Sequence, residues 1–166
     1  MAQTKLGETI VNTNGNLPAV GSAAPDFYLT GTDLSDKALK GFSDKNVVMN
    51  IFPSVDTRVC AMSVREFNKR AASLKDVVVL CISKDLPFAQ KRFCGAEGID
   101  NVVMLSDFRD NTFANDYGVK LIDGGMTGLL ARAIVVIGKD GKVNYTELVP
   151  AIGQEPDYDA ALQSLS

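Results

Sequence analysis

Two apolar runs organise the chain. Val47-Val48-Met49-Asn50-Ile51-Phe52 and Asp76-Val77-Val78-Val79-Leu80-Cys81-Ile82 are too continuous for strands with one wet face. They predict strands buried on both sides, as in a parallel sheet. Pro53 has no N–H to give to a ladder and predicts the end of the first strand. Between the two runs, Cys60, Val64, Phe67, Ala71 and Leu74 recur at steps of four and three. That period predicts a helix from about Cys60 to Leu74 with one apolar face. Glu66 and Arg70 form a favourable i, i+4 pair on a more exposed side. Strand, helix and strand in this order make a βαβ unit.

The flanking segments read less sharply. Residues 3 to 20 suggest a hairpin around the turn-forming Asn14-Gly15, followed by an extended, turn-rich GSAAPDFYL. A short helix is predicted from Pro87 to near Gly95, a strand over Val102 to Leu105, and a helical turn or two over Asn111 to Tyr117. Ile134 to Ile137 and Val143 to Val149 flank Lys139-Asp140-Gly141-Lys142, a hairpin signal. Pro156 opens a last helix through Leu162. The sum is an α/β sandwich with a mixed sheet and an antiparallel hairpin towards its C-terminal end. No linker or repeat interrupts the pattern, so residues 1 to 166 are expected to form one domain.

A net charge of −3 and the lack of a basic run argue against nucleic-acid binding. No segment approaches the roughly 20 apolar residues of a membrane helix. The first residues carry no apolar secretion signal, so the expected location is the cytoplasm. The three cysteines, Cys60, Cys81 and Cys94, are an odd number and include no CxxC, which argues against a structural disulfide framework. There is no histidine. Cys-His hydrolases, Ser-His-Asp triads and His-ligated metal sites are thereby excluded together.

Cys60 is the candidate for chemistry. It follows the carboxyl end of a buried strand, where α/β sheets bind ligands. It also falls in the first turn of its helix, where free N–H groups and the helix dipole favour a thiolate. The same residue lies on the apolar stripe, and free cysteine is often a plain core residue. Position alone leaves both readings open. Thr57 reads equally as a helix cap, and Pro53 as a strand terminator.

The spacing P-x-x-x-T-x-x-C, met by Pro53, Thr57 and Cys60, resembles the active-site signature of peroxiredoxins. Ala24-Pro25-Asp26-Phe27 is similar to that family's usual entry into the fold. FCGAEG (93 to 98), LLARAIVVI (129 to 137) and a hairpin before the main fold resemble its thiol peroxidase branch, the atypical two-cysteine peroxiredoxins. The resemblance covers nearly the whole chain. It implies a thioredoxin-like fold and an enzyme that reduces hydrogen peroxide and alkyl hydroperoxides without metal, flavin or haem. It assigns Cys60 as the peroxidatic cysteine, Cys94 as the resolving cysteine and partner of an intramolecular disulfide, and Thr57 as the hydroxyl that bonds thiolate and peroxide. Arg132 becomes the active-site arginine, and Pro53 the residue that shields the pocket. It further implies a homodimer recycled by thioredoxin. Arg58 departs from the pattern, where a small residue such as glycine is expected; as a cation beside Cys60 it would lower the thiol pKa further, or it points to solvent, which is the favoured reading.

Beside this reading stand a peroxide sensor without meaningful turnover and an interaction protein that has kept only the fold. Cys94 adjoins Gly95 in the last turn of a short helix, from which fraying can release it. Cys81, inside VVVLCI, is expected to be an inert core residue. Leu121, Ile122, Met126 and Leu129 are candidates for an apolar pocket or for dimer contacts.

Overall fold

A computed structural model describes residues 1–165. A two-stranded N-terminal sheet, β1 (Gln3–Leu6) and β2 (Thr9–Asn12), stands apart from a seven-stranded sheet. The large sheet contains β3 (Tyr28–Gly31), β4 (Asp36–Ala38), β5 (Asn46–Ile51), β6 (Val77–Ser83), β7 (Val103–Ser106), β8 (Ala133–Ile137) and β9 (Val143–Leu148). Its spatial order is β4-β3-β7-β6-β5-β8-β9. β5, β6 and β7 run parallel, and β3, β4, β8 and β9 extend the sheet in antiparallel fashion. The helices are α1 (Arg58–Ala71), α2 (Pro87–Glu97), α3 (Thr112–Asp116) and α4 (Tyr158–Gln163), with a 3₁₀ turn at Leu39–Phe42.

The expected central strands, the hairpin at 138–142 and all four helical segments are present, with ends shifted by a few residues. α2 runs on past Gly95 to Glu97 and stops at Gly98, whose φ of +66° suits glycine at a helix end. The N-terminal hairpin is also present, but its turn is not Asn14-Gly15. Leu6 pairs with Thr9, so the turn is Gly7-Glu8, with Gly7 at φ +63° as the first turn residue. Positive φ at that position matches a type II′ connection. Asn14 instead ties the hairpin's exit to the body of the protein, donating its N–H to the Lys120 carbonyl. The stretch GSAAPDFYL runs into β3, which with β4 makes a short edge pair of three and four residues.

Strand alternation sorts the side chains into two layers. Val47, Met49, Ile51, Leu80 and Ile82 face one core with Phe113 and Tyr117 of the α3 region. Val48, Val79, Cys81, Ile134 and Val136 face the other, under Cys60, Val64 and Phe67 of α1 and Ala161 of α4. Phe93 and Cys94 of α2 pack on this second core as well. The two helices that carry Cys60 and Cys94 therefore share one face of the sheet. Glu66 and Arg70 pair at 2.7 Å, and Arg70 also reaches Asp159 at 2.6 Å, fastening α4 to α1.

The loops after β6 and β7 meet at a buried ion pair. Lys84 Nζ lies 3.2 Å from Asp107 Oδ2, at an angle that leaves this oxygen without a hydrogen bond. Lys84 also donates to the Asp107 and Asp110 carbonyls and to Asn111 Oδ1. Burial pushes the Asp107 carboxyl up to about 6, against the pull of Lys84. A carboxyl raised in the folded state favours folding while protonated, and that contribution is lost as pH rises through the folded value. Wild type should therefore lose stability relative to Asp107→Asn between about pH 4 and 6.5. Urea unfolding at several pH values checks this; a wild-type-minus-variant difference that is flat or grows with pH would refute it.

Candidate active site

β5 ends at Ile51, and Phe52 makes the last ladder contact by donating to the Ile82 carbonyl. Pro53 follows, buried, where the ladder stops. The chain then turns through residues 54–57 into α1, which delivers Cys60 to the carboxyl end of the parallel strands. Cys60 is fully buried. Thr57 occupies the cap position, but its hydroxyl does not cap the helix. It donates instead to the Ser54 carbonyl at 3.1 Å, inside the turn. The first amides of α1 thus have no side-chain cap, and no acidic residue lies in its first turn. The positive end of the helix dipole is left uncompensated beside Cys60.

Arg132 precedes β8 and is only 1 % exposed. Its Nη2 donates to Cys60 Sγ at 3.0 Å, and its Nε donates to the Ile152 carbonyl at 2.8 Å. Among the described residues, nothing partners its buried Nη1. A buried guanidinium is costly unless an anion faces it, and a charged hydrogen bond is stronger than a neutral one. The pairing gives Arg132 a sulfur to donate to and leaves one donor free for a third group. Thr57, Val59, Met126, Arg132 and Ile152 line a cleft of about 200 Å³, closed on one side by Leu6 and Gly7 of the hairpin turn.

Of the residues singled out in the sequence, Cys60 and Arg132 are in contact, and Thr57 borders the same cleft as Arg132. Arg58 lines that cleft too and is exposed, in keeping with its expected solvent orientation. Met126 borders the cleft, whereas Leu121 is buried beneath with Val11, Ala131 and Ile152. Cys94 is half-buried and borders a different depression, of about 380 Å³, between α2 and the β3–β4 edge. All three thiols are free. Burial pushes the Cys94 thiol up, and it pushes Cys81, which is fully buried, up to about 12. Cys81 is thereby an unreactive core thiol.

Sequence reasoning missed two supports. Asp85, in the loop after β6, accepts from Ser54 Oγ at 2.7 Å, from the Val55 N–H at 2.9 Å and from Ser83 Oγ at 2.6 Å. This carboxylate clamps the turn that carries Thr57 and so sets where α1 begins. The only signal was its place: loops after adjacent parallel strands lie side by side, and a carboxylate there has donors within reach. The second support is the Ile152 carbonyl, a backbone group with no sequence signature. Beneath α1, Asn50 Nδ2 donates to Ser63 Oγ at 3.2 Å, and Ser63 Oγ donates to the Cys60 carbonyl at 2.8 Å. A buried polar chain thus reaches the same turn of the helix.

The Redoxin family model matches residues 19–162. A thiol peroxidase of Mycobacterium tuberculosis is 63% identical over 165 residues, covering 99% of each chain. One from Corynebacterium glutamicum is 52% identical over 166 residues, covering 100% of each. The solved structure of a peroxiredoxin-like protein from Aquifex aeolicus superposes with a TM-score of 0.93 at 40% identity, over 98% of this chain and 95% of that one.

Asp85→Asn keeps the shape and removes the charge that three donors share. It should lower stability by roughly 1.5–3 kcal/mol and speed the labelling of Cys60 by a thiol reagent. Urea unfolding and timed labelling check both; an unchanged midpoint and labelling rate would show that the clamp is dispensable.

Proposed function

The chain belongs to the Redoxin family, among its thiol peroxidases, and from that premise we propose how its own residues divide the peroxidase reaction. The observation that carries the reading is the buried Arg132 guanidinium, which meets Cys60 Sγ at 3.0 Å with Nη2 and keeps Nη1 unpartnered in the same site. The Cys60 thiolate attacks the terminal oxygen of a hydroperoxide. The S–O bond forms as the O–O bond breaks, and the leaving alkoxide or hydroxide takes a proton from solvent. Fixed donors aimed at the developing charge lower the barrier without reorganising, and Arg132 Nη1 is such a donor. The Thr57 hydroxyl spends its proton on Ser54, so its lone pairs remain to accept the peroxide O–H. Pro53 fills the end of β5 and helps to keep water from the sulfur.

Cys60 is then a sulfenic acid. Cys94 displaces its hydroxyl, which gives a Cys60–Cys94 disulfide and one water. Cys60 is fully buried under α1 and Cys94 borders a depression on α2, and a disulfide needs Cα atoms within about 7 Å, so in this reading both helix ends open for the thiols to meet. The Gly98 and Ile99 N–H groups both end on the Cys94 carbonyl and close the last turn of α2, so this capped turn is what has to open to release Cys94. While α2 is closed, burial keeps Cys94 protonated, and opening restores its ordinary acidity. A dithiol reductant of the thioredoxin type resets the disulfide. This cycle needs a reducing compartment, which supports a cytoplasmic location; the homodimer is the working form that the family resemblance implies. Among the described residues, no helix is long and apolar enough to cross a membrane.

Steady consumption of hydroperoxide with thioredoxin and its reductase tests the enzyme reading against a sensor or a fold-only protein. Arg132→Ala should slow Cys60 oxidation on the order of 100-fold, read by rapid mixing. An unchanged rate constant would remove Arg132 from the site. Cys94→Ser should react once with hydroperoxide, stall in thioredoxin-dependent turnover, and form sulfinic acid more readily as peroxide rises. Peptide mass spectrometry of oxidised wild type should show Cys60 joined to Cys94 within one chain. A Cys60–Cys81 bridge, or full turnover by Cys94→Ser, would overturn this assignment.

A further inference from the structure

We propose that Arg58 makes this cleft selective for hydroperoxides that carry a carboxylate, a reading of substrate class that rests on the peroxidase function of the same cleft. Arg58 is the first residue of α1 and is exposed at the cleft it lines. A cation is disfavoured at the positive end of a helix, and no acidic residue in the first turn offsets it. Among the described residues, no carboxylate lines the cleft. Among the described residues Arg58 forms no ion pair; its one polar contact is with the weak acceptor Met62 Sδ, at 3.8 Å. The adjacent carboxylate, Asp56, is turned towards Arg92 at 3.9 Å.

A second, independent observation points to a ligand. Arg132, 1 % exposed, lines the same cleft and holds Nη1 without a partner. The Arg132 guanidinium faces the Cys60 sulfur, and among the described residues no carboxylate pairs with Arg58. The cleft therefore carries a surplus positive charge on a chain whose net charge is −3, so the surplus is local and not a result of overall basicity. Leu6, Val59, Met126 and Ile152 line the same cleft and supply its apolar surface. The substrate that fits has its O–O bond at Cys60 and Arg132, a carbon chain along these residues, and an anionic end at the mouth beside Arg58.

The test compares a short terminal hydroperoxy alkanoic acid with its methyl ester. The rate constant for Cys60 oxidation is measured by rapid mixing at low and high salt. In wild type the acid should react about two- to five-fold faster than the ester at low salt, the range expected of one exposed charge pair. Salt should shrink the ratio, because charges about 10 Å apart are screened near 0.1 M. The ratio should fall towards one in Arg58→Gln and below one in Arg58→Glu. Taking a ratio for each protein removes any general loss of activity caused by a substitution. Equal ratios in wild type and Arg58→Glu would overturn the proposal and leave the peroxidase reading standing. A folded wild type whose Cys60 reacts with neither compound would overturn both.

Discussion

The contact between Arg132 and Cys60 is the constraint around which the rest of the site is arranged. A guanidinium at 1 % exposure has surrendered almost all of its water. Its compensation here is small: one carbonyl at Nε, one sulfur at Nη2, and nothing at Nη1. Such a group is tolerable beside an anion and unfavourable beside a neutral thiol. The arginine therefore needs groups to donate to, and the cysteine sulfur is one of the two it has. The chemistry of the sulfur follows from a folding problem solved by the same pair, with no histidine in the chain to share the task.

The pair holds only if both partners are placed independently. Arg132 immediately precedes β8, which lies next to β5 in the sheet, and its carbonyl accepts from the Val149 N–H, so its backbone is fixed by the sheet. Cys60 comes from a turn and a helix, which are softer. Asp85 stiffens the turn from one side, and the chain Asn50–Ser63 reaches the first turn of α1 from below. The lower support is incomplete, since Asn50 Oδ1 is buried without a partner. An unsatisfied polar atom under a helix makes its closed state less favourable than an apolar seat would. The position of Cys60 is thus well defined while the turn is closed, and the closed turn is not over-stabilised. A thiol that must first be held and later released is served by that balance.

Much of this was legible in the residues. The continuous apolar runs identified β5 and β6 because strands buried on both faces have no polar phase to confuse the reading. The step of four and three found α1, since its buried stripe comprises Cys60, Val64 and Phe67. The Asn14-Gly15 turn misled because dipeptide preference competes with tertiary contacts, and Asn14 serves better as a strap to Lys120 than as a corner. β3 and β4 are too short to show a period. Asp85 is one carboxylate among many in loops, and its importance lies in three donors from two separate segments. The Ile152 carbonyl is invisible in principle, because every residue has one. Thr57 was read as a possible cap, whereas its hydroxyl stays within its own turn.

The cleft joins distant parts of the sequence. Leu6, Gly7, Ile152 and Gly153 all line it, and the Ile152 carbonyl also holds Arg132. Lys5 clasps this late segment on both sides, donating to Pro150 O and accepting from Ile152 N. On a ribosome, Cys60 leaves the exit tunnel long before residue 152 has been added. Until then Arg132 lacks its carbonyl anchor and the hairpin has nothing to close against. A nascent chain therefore carries Cys60 as an ordinary thiol, and the sulfur gains its setting only when synthesis reaches the last turns of the protein.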